Sequence, residues 1–207
     1  MRKGIVFVIS GPSGAGKGTV AKGMVESVDN IRFSVSATNR APRPGEIDGV
    51  SYYFVSDARF DEMIRNGEFL EYVEKYKNRY GTPKSSVLSL IENGTDVILD
   101  VETIGAENVK RMMPEAVTIF LLPPSLEILK KRLINRGTES PEHVEIRFSQ
   151  ACEEIESAHN YDYIVVNDEI ERCLRSVASI IEAERKRGSR NIELPRDILD
   201  RKTIENN

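Results

Sequence analysis

Residues Gly11 to Lys17, "GPSGAGK", fit the spacing G-x-x-x-x-G-K. Glycines at these positions let a backbone wrap closely around phosphate groups, where a Cβ would collide or forbid the required dihedrals. The successive N–H groups of such a loop, together with the N-terminus of a following helix, face an anion. Lys17 adds a point charge able to reach terminal phosphates. The passage sits where this chemistry needs it. The apolar run Ile5–Ile9 precedes it and reads as a strand buried on both faces. Lys17–Val28 follows, with Val20, Ala21, Met24, Val25 and Val28 at helical spacing.

A second set of reactive side chains lies downstream. "FSVSATNRAPRPGEIDGVSYYF", Phe33 to Phe54, holds Arg40 and Arg43 in a Pro/Gly-rich frame, with Tyr52 beyond. Arginines held apart in this way can fork onto one phosphate, and a tyrosine hydroxyl supplies a further donor. Glu71 follows in "GEFLEY", then Tyr80, Gly81 and Thr82, and Asp100 closes the apolar run "VILD". A carboxylate at the carboxyl end of a parallel strand lies at the ligand edge of the sheet. The D-x-x-G and N-K-x-D elements of a guanine-reading switch occur nowhere in the chain.

Strand-like and helix-like runs alternate to carry these residues. Val97–Val101, Ala116–Leu122 and Tyr163–Val166 read as further strands, with helices over Leu126–Arg136 and about Ile170–Arg187. This order predicts an α/β fold, a mainly parallel sheet with helices on both faces. Two stretches break the rhythm. Ser36 to about Leu90 reads as an inserted subdomain, and the polar Gly137–Pro141 as part of a lid over about 137–146. The expected division is a core of 1–35 and 91–187, an insert of 36–90 and a polar tail of 188–207 whose apolar patch is Ile198–Leu199.

A chain of 207 residues suits one domain with small insertions. Its net charge of −4 excludes a global field for polyanions, so any phosphate site is a local cluster of Lys and Arg. No apolar run nears the length of a membrane span and no secretory pattern opens the chain, which predicts a cytoplasmic protein without membrane or nucleic-acid partners. Cys152 and Cys173 lack metal or redox spacing and read as buried or half-buried thiols, and His143 and His159 are too isolated for a metal site.

Taken together, the chain resembles the guanylate kinases from Lys3 to about Arg187. The pattern FSVSxTTRxPRxGExxGxxYxF is matched from Phe33 to Phe54 with Asn39 in place of the second Thr. "GEFLEY", "YGTP", "ILD", "LKKRLxxRGTE" and "VND" (Val166–Asp168) match as well. The resemblance implies a P-loop NTPase-like fold with an inserted nucleoside-monophosphate-binding subdomain and a short lid. It implies transfer of the γ-phosphoryl group of ATP to GMP, with use of dGMP as a further expectation. Arg40, Arg43, Tyr52 and Tyr80 would bind the GMP phosphate; Ser36, Glu71, Thr82 and Asp100 would read guanine. The chemistry agrees, because guanine offers donors at N1 and N2 to the two acids and an acceptor at O6 to Ser36 or Thr82. Gly11, Pro12, Ser13, Gly14, Ala15, Gly16, Lys17, Gly18 and Thr19 would bind ATP with Arg132, Arg136 and Asn167. Lys17, Arg40, Arg43, Arg136 and Arg147 would stabilise the transferred group. Mg²⁺ would be the cofactor, near Thr19, Asp100 and Glu102 through water.

Two departures accompany the match. Gly18 stands where many nucleotide hydrolases carry the Mg²⁺-binding hydroxyl, and the hydroxyl comes one place later at Thr19. "GKGT" is the arrangement seen in adenylate kinases; it predicts a Thr19–phosphate contact, more water on Mg²⁺ and room beside the loop. In the family's D-x-D-x-Q-G, here Asp100 to Gly105, Glu102 keeps the charge and Ile104 replaces the glutamine, losing any hydrogen bond made there. The rivals are another nucleoside monophosphate kinase and a non-catalytic guanylate-kinase-like interaction domain. Oligomeric state stays open.

Overall fold

The computed structural model describes residues 2–75, 77–134 and 141–204. Strand β1 (Val6–Ser10) is buried along its whole length, one residue later than the apolar run suggests. The glycine loop leaves it and enters helix α1 (Lys17–Ser27), which buries Val20, Ala21 and Met24. Strand β2 (Ile31–Phe33) follows. The chain then leaves the main sheet through β3 (Ala37–Thr38), β4 (Tyr53–Phe54), α2 (Asp57–Arg65), β5 (Phe69–Lys75) and β6 (Asn78–Pro83). It returns through α3 (Lys84–Glu92), β7 (Asp96–Asp100), α4 (Thr103–Met112), β8 (Val117–Leu122), α5 (Leu126–Ile134), α6 (Pro141–Glu156), β9 (Tyr163–Val166) and α7 (Ile170–Arg185). Helix α8 (Leu194–Ile204) forms within the tail.

The main sheet has the order β2-β7-β1-β8-β9. Every pairing in it is parallel, with Val8 flanked by Leu99 and Thr118. Alternation along β1 serves two cores. Ile5, Phe7 and Ile9 pack with Met24, Ile119, Val177 and Ile181, under α1 and α7. Val6 and Val8 pack on the other face with Val87, Ile91, Leu99 and Val109, under α3 and α4. Because β1 is followed to one side by β2 and β7 and to the other by β8 and β9, the strand order reverses at its carboxyl end. Open α/β sheets bind ligands at such a reversal.

The insert carries a sheet of its own, β4-β3-β6-β5, around Phe60 and Phe69, whose ring centroids are 4.7 Å apart. The sequence reading carries this insert to Leu90. In the structure α3 already packs on the main sheet, because Val87 and Ile91 lie one helical turn apart and bury together there. Helices α5 and α6 pack through Leu129, Leu133, Val144 and Ala151. Residues 135–140, and with them Arg136 and the first part of the expected lid, lie outside the described residues.

Charged groups fasten the far end of the molecule. Asp96, at the start of β7, has no exposed surface and accepts from Arg2 (2.9 Å), the Ile5 N–H (2.8 Å) and Arg185 Nε (2.7 Å). Glu184 accepts from the Tyr163 hydroxyl (2.6 Å) and Arg187 Nε (2.8 Å), and Arg190 donates to the Glu115 carbonyl (2.9 Å), which ties down the first turn of the tail. Ile198 and Leu199 on α8 are exposed. Cys173 is buried and Cys152 half-buried, both as free thiols. Among the described residues no helix is long and apolar enough to cross a membrane.

Candidate active site

At the carboxyl end of β1 the glycine loop opens on a cleft of about 820 Å³ between the main sheet and the insert. Gly16 is the N-cap of α1 with φ 93°, a left-handed conformation that strains any residue with a Cβ. A Cβ there would also lie 2.5 Å from the Asn167 amide nitrogen. Helix α1 has no side-chain cap and no acid in its first turn, so its N–H groups and the positive end of its dipole face the cleft uncompensated. Lys17 folds over the loop, its Nζ donating to the Gly11 carbonyl at 2.7 Å. Thr19 is exposed in the next turn and lines the cleft.

Opposite the loop stand the groups of the insert. Arg40 is forked onto Glu46 by two hydrogen bonds of 2.9 and 2.8 Å, and Glu46 also accepts the Arg43 N–H at 2.7 Å. These contacts, Arg40 first, hold the Glu46 carboxyl down to about 2. The Arg40 guanidinium lies 5.3 Å from the centroid of Tyr52, whose ring meets Tyr80 edge-on at 6.0 Å. Arg43 is exposed at the rim. A cationic and phenolic wall is thus assembled from β6 and the loop between β3 and β4, as the spacing of Arg40, Arg43 and Tyr52 suggests.

The acids sit deeper. Glu71 on β5 is only 6% exposed and accepts from the Thr82 hydroxyl at 2.6 Å across the β5–β6 pair. Burial raises its pKa above the usual carboxylate value, and the Thr82 contacts only partly oppose this. Asp100 ends β7 in the same cleft. Burial raises its pKa too, against the pull of the nearby Lys17 charge. Glu102, Ser36, Ser13 and Arg147 complete the lining, and Arg147 on α6 donates to the Ser13 hydroxyl.

The cleft therefore gathers Ser13, Gly14, Gly16, Lys17, Gly18, Thr19, Ser36, Arg40, Arg43, Tyr52, Glu71, Tyr80, Asp100, Glu102 and Arg147. Thr82 lies beneath Glu71, and Gly11, Pro12 and Ala15 form the buried backbone of the loop. Asn167 and Arg132 stand behind that loop. The Asn167 amide donates to the Ala15 carbonyl at 2.7 Å, and Arg132 donates to the Asn167 carbonyl at 3.0 Å. A Cβ on Gly18 would lie 3.4 Å from Asp100 Oδ2, so the position has room for a methyl group and little beyond it. Ile104 is 64% exposed, so the apolar side chain stands largely in solvent. Glu46, Val73, Asn78 and Val101 also line the cleft. Of these only Glu46 carried a signal, as the acid of the matched RxPRxGE.

Among the described residues no group of three or more His, Cys, Asp or Glu forms a metal cage. Thr19, Asp100 and Glu102 share one cleft, and this sparse all-oxygen set suits a cation held mostly by water and substrate phosphates.

Comparison with known proteins bears on this geometry. The family model described as "Guanylate kinase" matches residues 3–184. A guanylate kinase of Clostridioides difficile (strain 630) is 49% identical over 190 residues, 92% of this chain and 93% of the relative. One from Symbiobacterium thermophilum is 47% identical over 189 residues, 91% of this chain and 90% of its own length. The crystal structure of guanylate kinase from Anaplasma phagocytophilum superposes with a TM-score of 0.74 at 34% identity, covering 89% of this chain and 87% of that one.

Proposed function

The chain belongs to the guanylate kinase family, and on that premise we propose how its side chains divide the transfer of the γ-phosphoryl group from ATP to GMP. The products are ADP and GDP. The single observation that carries the specificity is the buried Glu71, seated on Thr82 and facing the same cleft as Asp100 and Lys17. Guanine brings donors at N1 and N2 to these two acids, whereas adenine has a bare C2 and an acceptor at N1. An adenine base would leave buried carboxylates unpaired, a mismatch worth roughly 10⁴-fold in discrimination. The Thr82 hydroxyl already donates to Glu71, which leaves Ser36 as the donor to guanine O6.

Arg40, Arg43, Tyr52 and Tyr80 hold the GMP phosphate. Glu46 fixes the plane of Arg40 before the phosphate arrives, so less side-chain freedom is lost on binding. The loop from Gly11 to Thr19 cradles the ATP phosphates, and Arg132 and Asn167 act by bracing that loop from behind. A GMP phosphate oxygen attacks the γ-phosphorus in line as the bond to the ADP oxygen breaks. Charge spreads over the equatorial oxygens, to be met by Lys17, Arg40, Arg43 and Arg147, with Arg136 given the same role from its sequence match alone. Thr19, Asp100 and Glu102 would hold Mg²⁺ through water; when bound, the ion neutralises charge on the ATP phosphates. The insert, ending at β6, closes over GMP and the lid expected over about 137–146 closes over ATP, excluding the water that would otherwise hydrolyse ATP. The partners are small nucleotides, and the working compartment is the cytoplasm.

A coupled ADP-release assay with GMP and AMP in parallel tests this reading. The expected result is turnover with GMP alone, and a collapse of GMP turnover in Glu71→Gln with KM for ATP unchanged. Equal rates with AMP, or a Glu71→Gln enzyme of normal GMP kinetics, would overturn the assignment.

A further inference from the structure

Glycine is the poorest helix former after proline, yet Gly105 stands inside the first turn of α4 and is buried. Its φ is not in the left-handed region, so backbone conformation does not call for glycine there. Space does. A Cβ on Gly105 would lie 2.8 Å from Glu71 Oε2 and 3.3 Å from its Cδ, with Val101 Cβ closing the other side at 3.2 Å. The two residues come from different parts of the molecule, Gly105 from the core helix α4 and Glu71 from β5 of the insert.

We propose that Gly105 is the specificity-determining seat of the guanine-reading acid: its bare backbone leaves the space in which the Glu71 carboxylate rests while accepting from Thr82. The carboxylate is caught between two constraints. Thr82 holds Oε1 at 2.6 Å, and Oε2 rests against α4. Val101 Cβ belongs to the backbone frame and cannot withdraw, so an alanine at 105 is accommodated only if the carboxylate swings off its seat. The substitution therefore acts on substrate choice more than on folding, since alanine is otherwise the better helix residue. The substrate feature read through this seat is the 2-amino group that separates GMP from IMP. The inference rests on the reading that Glu71 recognises guanine.

The test is Gly105→Ala, assayed for KM and kcat with GMP and with IMP at saturating ATP, beside thermal melting. The expected outcome is a folded protein with KM for ATP unchanged, KM for GMP raised, and GMP-over-IMP preference reduced ~10-fold or more. Unchanged preference in a folded Gly105→Ala protein overturns the inference. If Gly105→Ala fails to fold, the double variant Gly105→Ala/Glu71→Asp decides. The shorter acid draws its oxygens away from the new methyl group, so recovery of folding supports the seat and continued failure overturns it. Glu71→Gln in the otherwise natural chain separates the two levels. Loss of preference there with none in Gly105→Ala removes only the role of Gly105, whereas retained preference in Glu71→Gln removes the guanine reading itself.

Discussion

Asp96 and Asp100 open and close the same strand, β7, and meet opposite fates. Asp96 is wholly buried at the amino end of the sheet and satisfied within the chain by Arg2, Arg185 and the Ile5 N–H. Asp100 is buried at the carboxyl end, where burial raises its pKa and the Lys17 charge only partly compensates. One acid has its partners built in, and the other faces the cleft proposed to take the nucleotides. A parallel strand can thus carry a structural charge at one end of the sheet and present another to a cleft where the strand order reverses.

The comparison can be broken most sharply at the cation facing Asp100. Lys17→Ala should lower turnover ~10³-fold or more, with GMP binding by calorimetry largely intact. Normal turnover in that variant would remove the lysine from the chemistry. Asp100→Asn comes next, with an expected loss of ~10²–10³-fold in kcat/KM for GMP. Its melting temperature should hold or rise, because a neutral amide escapes the cost of burying a charge. A clear fall in melting temperature would make Asp100 a structural residue like Asp96. Asp96→Asn should do the reverse. It leaves two arginines facing an amide and should lose ~3 kcal/mol of unfolding free energy in urea, with KM values unchanged.

The smallest effect is a pH dependence. Glu71 has a folded pKa raised above its ordinary value, so its protonated form is favoured in the empty protein. Its stabilising contribution is full below the ordinary value and is lost as pH rises through the folded one. On the proposed reading GMP binding needs the ionised acid, so the sign for KM is opposite. Measured from about pH 8 to about pH 5, KM for GMP should rise on the acid side, starting above the ordinary glutamate range. In Glu71→Gln that rise should weaken to the part carried by Asp100, whose pKa burial also raises. A wild-type KM flat across this range would place Glu71 outside the base pocket.

Much of this contrast was legible from local pattern. The loop, the strand before it and the helix after it lie within one short stretch whose spacing dictates its geometry. The apolar runs of β7 and β8 mark those strands to within a residue because a strand buried on both faces needs no alternation, whereas β9 matches its apolar run as an edge strand with Ile164 and Val166 exposed. What escaped depends on distance along the chain. β2 has only Ile31 fully inside and two exposed neighbours, too little to register as a pattern. α3 reads as part of the insert until Val87 and Ile91 are seen against Val8 and Leu99. Glu46 and Gly105 both fall in matched stretches, RxPRxGE and Asp100–Gly105, but the contacts they make, with the Arg40 guanidinium and the Glu71 carboxylate, emerge only in the fold. The sequence also flags Ile104 as a lost hydrogen bond, and only the fold shows that its side chain stands largely in solvent.

The bond from the Asn167 amide to the Ala15 carbonyl bears on how the protein is born. Synthesis delivers the glycine-rich loop 152 residues ahead of the side chain that braces it. A nascent chain halted before Asn167 carries every glycine of the loop and Lys17, yet not the prop that sets its curve. The loop is thereby expected to reach its final shape only once that distant strand end has joined the sheet.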